Sequence, residues 1–375
     1  MKLAIISHTE HYKTANGTIV GWSPTVNEIN HLLEIFESII HVAMLYDGEP
    51  PKSTMAYCST KIRLVPIPSV GGHGILNKSN IIFNAPKVLG IVSKVLKDVD
   101  CFQLRTPTGI GVFLIPYLTF FTKKNGWFKY AGQWNQKHPP LGYRLQRFML
   151  KHQKRKVTIN GFWEHQPKHC LTFENPCLTD RDIAAGIEII RNKTFIKPLT
   201  FCFVGRLEAE KGVGRIIKAM ALLSESEKEN IALVHMVGIG NNDNYFQEMS
   251  KNIGVQFVFH GAMSRGEVFE IYKKSHVFLL PTKASEGFPK VIAEAMNFGC
   301  IPLVSDLSSI SHYIEHQKNG FLLKSIIVKT LKEQILEIIA LSEQDCKRML
   351  ENQEQMLYSF SFSNYNQRIL THILN

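Results

Sequence analysis

The chain has 375 residues, too many for one ordinary hydrophobic core and enough for two domains of about 150–200 residues each. Its 45% hydrophobic and 20% charged residues describe a globular protein, and seven cysteines with no C-x-x-C pair exclude a disulfide framework or zinc ribbon. The formal charge of +11 is lopsided: residues 1–176 hold 21 Lys+Arg against 10 Asp+Glu, and the remainder holds 22 of each.

In chain order, Met1-Lys-Leu-Ala-Ile-Ile-Ser7 is too short an apolar run for a signal peptide and reads as a strand over 3–7. With the cysteine usage it places the protein in a reducing, cytoplasmic compartment. A polar loop with Gly17 and Gly21 follows to Ser23. From Pro24, the spacing of Val26, Ile29, Leu32, Leu33 and Phe36 predicts a helix. Strands are expected at 42–46, 61–67 and 101–104, with a helix over 86–97 between the last two. The apolar run 109–121 is too short to span a bilayer. A basic helix over 141–156, a strand at 156–159 and a last strand near 171–176 complete the first half.

The second half restarts the pattern. Strands are predicted at 200–204, 232–237, 255–259, 276–281 and 301–305, with helices between them at about 213–223, 242–252 and 264–274 and after the fourth strand. Helices at 328–341, 343–357 and 365–374 end the chain. Alternation of this kind in both halves predicts two doubly wound α/β domains, with ligands at the carboxyl ends of the strands and two sheets facing across a cleft.

The stretch from Glu286 to Glu294 follows the apolar run 276–281, and Pro289 suits the first turn of a helix that Gly299 ends. A strand, a short loop and a helix N-terminus favour an anion there. The two glutamates then suit neutral hydroxyls on either side of it. The segment Gly205-Arg206-Leu-Glu-Ala-Glu210-Lys211-Gly212 places two cations at another strand's carboxyl end. An anionic ligand would offset Lys211 at a helix N-terminus; salt bridges to Glu208 and Glu210 in a surface turn are the plainer reading.

Together these segments, with Gly238-x-Gly240, His260-Gly261, Gly299-x-x-Pro302 and Asn319-Gly320-Phe321, resemble the retaining glycosyltransferases of family 4 (glycosyl transferases group 1). The resemblance is specific over about 200–322. It implies a GT-B fold, two Rossmann-like domains: residues 1–176 for the acceptor, 177–358 for a nucleotide-sugar donor, and 359–375 packing back on the first domain. Arg206 and Lys211 would neutralise the departing diphosphate, Glu286 would hold sugar hydroxyls and Glu294 the ribose. Gly205, Gly240, Gly287, Phe288 and Pro289 would line the sugar and phosphates, and Ala262 and Met263 would touch the base. Apart from the resemblance, Gly17 and Gly21 would let backbone approach the diphosphate from the first domain, or equally serve as ordinary turn glycines. The transfer would be front-face, with no protein nucleophile.

Many members of that family carry a His after the strand at 101–104, where this chain has Arg105. On the acceptor side, Arg105 and His8 are therefore the candidates. His8-x-x-His11 lacks a third ligand spacing and reads as a loop lining the cleft. Asp98-Val-Asp100 precedes its strand and reads as a structural cap, so no metal site or cofactor is expected beyond the nucleotide-sugar co-substrate. Residues 101–163 contain 11 Lys+Arg and no acid. They read as a surface for an anionic membrane, in preference to a nucleic-acid patch or a solvated basic face. The expectation is a metal-independent retaining hexosyltransferase. It would add a sugar to a lipid-linked glycan acceptor in cell-surface polysaccharide assembly, peripheral on the inner face of the cytoplasmic membrane. A sugar-nucleotide epimerase and a non-catalytic nucleotide-sugar-binding protein are the rivals.

Overall fold

β-branched and aromatic runs alternating with amphipathic segments form two separate sheets, one largely and one wholly parallel, in a computed structural model that describes residues 1–69, 80–284 and 286–375. One unit comprises Met1–Asn175 with Phe362–Asn375, the other Pro176–Ser361.

In the first unit, β1 (Lys2–Lys13) pairs in parallel with β3 (Ser38–Tyr46) and β6 (Cys101–Thr106). β5 (Ile62–Ile67) extends the sheet beyond β3, and β7 (Asn125–Tyr130), β8 (Val157–Ile159) and β9 (Cys170–Thr172) extend it beyond β6. β1 runs well past the strand expected over 3–7. A bulge between Ile6 and Glu10 re-aims it, and its second half forms an antiparallel hairpin with β2 (Ile19–Trp22), which pairs with β4 (Thr54–Ala56). The polar loop expected from Ser7 to Ser23 is therefore largely strand. The helix Ser23–Leu32 buries Val26, Ile29 and Leu32 as its spacing requires. The apolar run after β6 is the helix Gly111–Phe120, with Leu114, Ile115 and Leu118 in the core. Among the described residues, no helix is long and apolar enough to cross a membrane.

The second unit opens with the helix Asp180–Asn192, capped at Thr179 by reciprocal bonds with Asp182. Its sheet is wholly parallel, in the order β12 (Phe257–Gly261), β11 (Ile231–Val237), β10 (Leu199–Val204), β13 (Val277–Leu280), β14 (Ile301–Ser305), β15 (Phe321–Leu323). Sequence order runs outward on both sides of β10. The reversal between β10 and β13 is the topological switch point, where loops leaving the two carboxyl ends diverge to opposite faces and leave a crevice. The chain thus has the GT-B fold class, two Rossmann-like α/β units.

Candidate functional site

The loops that leave β10 and β13 carry the residues of interest, and backbone contacts hold them together. The Glu210 carbonyl accepts from Lys283 N–H at 2.7 Å, from Arg215 Nη2 at 3.1 Å and from Thr282 Oγ1 at 3.2 Å. The same Arg215 guanidinium donates through Nε to the Pro281 carbonyl at 2.9 Å, so one side chain spans both loops. Gly212 starts the helix Val213–Ala221 at φ +96°, and a Cβ there would lie 2.3 Å from the Pro281 oxygen. Only glycine satisfies both conditions.

This stitching brings Lys211, almost fully buried, into an ion pair with Glu286, 75 positions further along the chain. A lysine at that depth needs a charge partner. Glu286 supplies it with one oxygen, Oε1. Arg206 differs: its side chain is largely exposed and pairs with Glu208 at 2.7 Å, as the surface-turn reading has it.

On the other side of β10, the 205–207 segment is laced to the loop after β11. Gly205 N–H donates to Val237 O at 3.0 Å and Leu207 N–H to Ile239 O at 3.1 Å, while Gly238 N–H reaches Gly261 O at 2.8 Å. A Cβ on Gly238 would sit 1.9 Å from the Gly205 oxygen, and one on Gly240 2.2 Å from the Leu207 oxygen. Three adjacent strand ends therefore close into one backbone wall. Ala262, exposed, and Met263, half-buried against the core, follow directly from β12.

The helix Lys290–Asn297 begins at Pro289, which is its N-cap rather than its first turn, and no side chain caps the end. Gly287 and Pro289 are buried beside it. Phe288 packs into the core instead, its ring 4.8 Å from that of Phe360 and 4.9 Å from that of Tyr313. It anchors the loop, and only its backbone is available to a ligand. Glu294 is half-buried on the same helix. Burial raises its carboxyl pKa, Arg265 and Lys290 oppose that rise, and Asp182 adds to it. Arg265 is held by Asp182 Oδ2 at 2.7 Å and by the Cys177 carbonyl at 2.6 Å, which sets it as a fixed charge facing Glu294.

The first-unit candidates are scattered. Gly17, at φ +84°, closes the exposed turn between β1 and β2, where its N–H reaches Thr14 O at 2.9 Å. His8 and His11 lie in β1, not in a loop. The His8 imidazole is held neutral by burial, its pKa lowered to about 4, with Nε2 unpartnered among the described residues. His11 donates from Nδ1 toward backbone carbonyls of Thr9 and Met44, so its Nε2 accepts from the Tyr57 hydroxyl at 2.7 Å. Arg105 lies in β6. It is buried, with Nε on Gln103 at 2.9 Å and Nη2 on Glu28 at 2.9 Å, and Lys129 Nζ meets the same Glu28 oxygen at 2.5 Å. Its Nε and Nη2 are thus engaged within the first unit, on Gln103 and Glu28. Asp100 caps the start of β6, accepting from Lys2 N–H at 2.7 Å. Among the described residues, no three His, Cys, Asp or Glu side chains gather as metal ligands.

Sequence reasoning did not single out Arg215, Thr282 or Arg265, which position others rather than carrying a motif. Arg215 was visible only as a cation one helical turn after Lys211.

Residues 186–356 match the family described as Glycosyl transferases group 1. An uncharacterised glycosyltransferase of Methanocaldococcus jannaschii is 32% identical over 120 residues, which is 32% of this chain and 30% of that protein. A Campylobacter jejuni α-1,4-N-acetyl-D-galactosaminyltransferase, named for a diphospho-undecaprenol-linked glycan acceptor, is 24% identical over 210 residues, 56% of this chain and 55% of its own. The matches thus span about a third to a half of these relatives. Anabaena HepE, solved with UDP, superposes over 99% of this chain and 98% of its own at TM-score 0.69 and 15% identity, which shows the shared fold.

Proposed function

We propose, taking residues 186–356 as the group 1 glycosyl transferase domain they match, that the protein moves a hexose with retention from a nucleotide diphosphate sugar to a lipid-linked glycan. The observation that carries this reading is the Lys211–Glu286 pair at the β10/β13 switch point, flanked by Arg206 and by the start of the helix Lys290–Asn297.

As the bond between the anomeric carbon and phosphate oxygen breaks, negative charge grows on the leaving diphosphate. Cations already in place stabilise that state more than the ground state. Lys211 is pre-set, whereas Arg206 turns from Glu208 toward the diphosphate. Glu286 then accepts from sugar hydroxyls through the oxygen that Lys211 leaves free. Glu294 accepts from the ribose diol, since an ionised carboxylate is an acceptor only and suits two neutral donors. The acceptor oxygen attacks from the face the diphosphate leaves, and its proton passes to the departing phosphate oxygen. No metal or cofactor enters this scheme.

The acceptor for which the C. jejuni relative is named supports a polyprenyl-diphosphate glycan and a role in cell-surface polysaccharide assembly. A panel of nucleotide sugars, UDP-sugars first, should include one that raises the melting temperature, with or without EDTA. Lys211→Ala should lower kcat by about 10²–10³-fold while the fold persists. Turnover unchanged by Lys211→Ala would sink the diphosphate role, and activity that vanishes with EDTA would sink the metal-free scheme.

A further inference from the structure

The helices Gly111–Phe120 and Leu141–Lys151 lie side by side and parallel. Gln146 bonds the Thr108 backbone at one end, through Nε2 to O at 2.8 Å and from N–H to Oε1 at 3.2 Å. At the other end Gln153 Nε2 meets Thr119 Oγ1 at 2.8 Å and Arg155 Nη2 meets Thr122 O at 2.8 Å. The second helix buries Gln146 and Leu150 on its inner face. Its outward stripe is also apolar: Leu141, Leu145 and Phe148 follow an i, i+4, i+7 spacing and are 82%, 45% and 61% exposed.

The pairing at 119–122 and 153–155 sets Phe120 and Phe121, 77% and 78% exposed, at the Phe148 end of this stripe. One step round the helix are exposed Arg144 and Lys151, and Lys123, Lys154 and Lys156 are exposed where the two helices end. An ordinary surface helix turns its polar face outward. This one presents a hydrophobic ridge with a cationic rim.

We infer that this ridge inserts into the headgroup boundary of an anionic lipid bilayer, Phe120, Phe121, Leu145 and Phe148 entering the acyl edge and the rim holding acidic headgroups. The rim chooses the occupant. A second copy would set this acid-free face against itself and meet like charge, whereas a bilayer of acidic lipid offers both an apolar interior and negative headgroups. The inference deepens the lipid-linked acceptor reading above by naming where the chain meets its membrane.

The test is flotation of the full-length chain with vesicles of phosphatidylethanolamine and phosphatidylglycerol, against vesicles of phosphatidylcholine alone. Binding is expected on the anionic vesicles only and should fall steeply with salt. Combined Phe120→Ser, Phe121→Ser and Phe148→Ser should weaken it by about tenfold or more. Combined Arg144→Gln, Lys151→Gln and Lys154→Gln should weaken it on the order of a hundredfold. Both variants should keep the wild-type melting temperature and its shift with a nucleotide sugar.

No retention on anionic vesicles at low salt, equal retention on phosphatidylcholine, or indifference to both variants would overturn the inference. So would a concentration-dependent dimer that the Phe variants abolish. Vesicle binding without any nucleotide-sugar shift would instead remove the transferase reading and leave this surface standing.

Discussion

At the scale of single residues, the site in the second unit depends on what each charge is allowed to face. Lys211 is too deep to stand alone and finds Glu286, while Arg206 remains at the surface beside Glu208. Glu294 is the costly one. Burial raises its pKa, so between the unfolded value near 4.5 and the higher folded value the folded chain binds the extra proton. Stability contributed at this position therefore falls as pH rises through that window, and the cost is largest above it. Glu294→Gln should raise the melting temperature at pH 7 while weakening nucleotide-sugar binding about 10–100-fold. A variant that gained stability and kept full affinity would remove Glu294 from the ligand.

Arg105 shows what a sequence conceals at this scale. Its position at a strand's carboxyl end pointed to a ligand, but its partner Glu28 lies 77 positions earlier, on a helix whose stripe of Val26, Ile29 and Leu32 gave no hint of a buried acid. Phe288 is the same lesson reversed: a motif residue whose ring serves the core.

At the scale of elements, the alternation of strands and helices was legible because buried parallel strands are short apolar runs and their covering helices carry a 3.6-residue stripe. Several elements escaped, β7 and β15 among them. The hairpin of β1 and β2 is built from polar residues such as Thr9, Glu10, Tyr12 and Lys13, so no alternation marked it, and the bulge after Ile6 broke the period. The helix Asp180–Asn192 went unread although Thr179 and Asp182 spell a capping box.

The meeting of Lys211 with Glu286 follows from strand order, which the sequence carries only implicitly. Arg215 is the element-scale clamp, bridging the Glu210 and Pro281 carbonyls. Arg215→Ala should lower kcat/KM roughly tenfold to a hundredfold by letting Lys211 and Glu286 drift. Arg215→Lys should recover only part, because one ammonium does not span both carbonyls. Activity in Arg215→Ala equal to wild type would show that the two loops hold each other without it.

At the scale of the whole molecule, buried histidines govern the response to acid. His8, His235 and His276 are each lowered to about 4 by burial, and fully buried His41 is also lowered, with His11 and Arg105 nearby adding to the effect. Folded pKa values below the unfolded value of about 6.5 mean that the unfolded chain binds these protons first. Stability should be intact above about 6.5 and be lost progressively as pH falls toward 4. Melting temperatures measured from pH 7.5 to 5 should decline throughout the acid side; a flat profile would contradict the neutral, buried imidazoles.

The segment Phe362–Asn375 belongs to the first unit, where Tyr365 and Ile369 fill its core beside Leu3, Ile29 and Trp127, and Arg368 meets buried Glu174 at 2.6 Å. A ribosome makes this chain from the other end. Domains usually fold as they emerge. Here the first unit waits through the synthesis of the entire second unit before its last side chains arrive, with the apolar floor under Tyr365 uncovered meanwhile. Completion of the first unit therefore follows synthesis of the whole second unit.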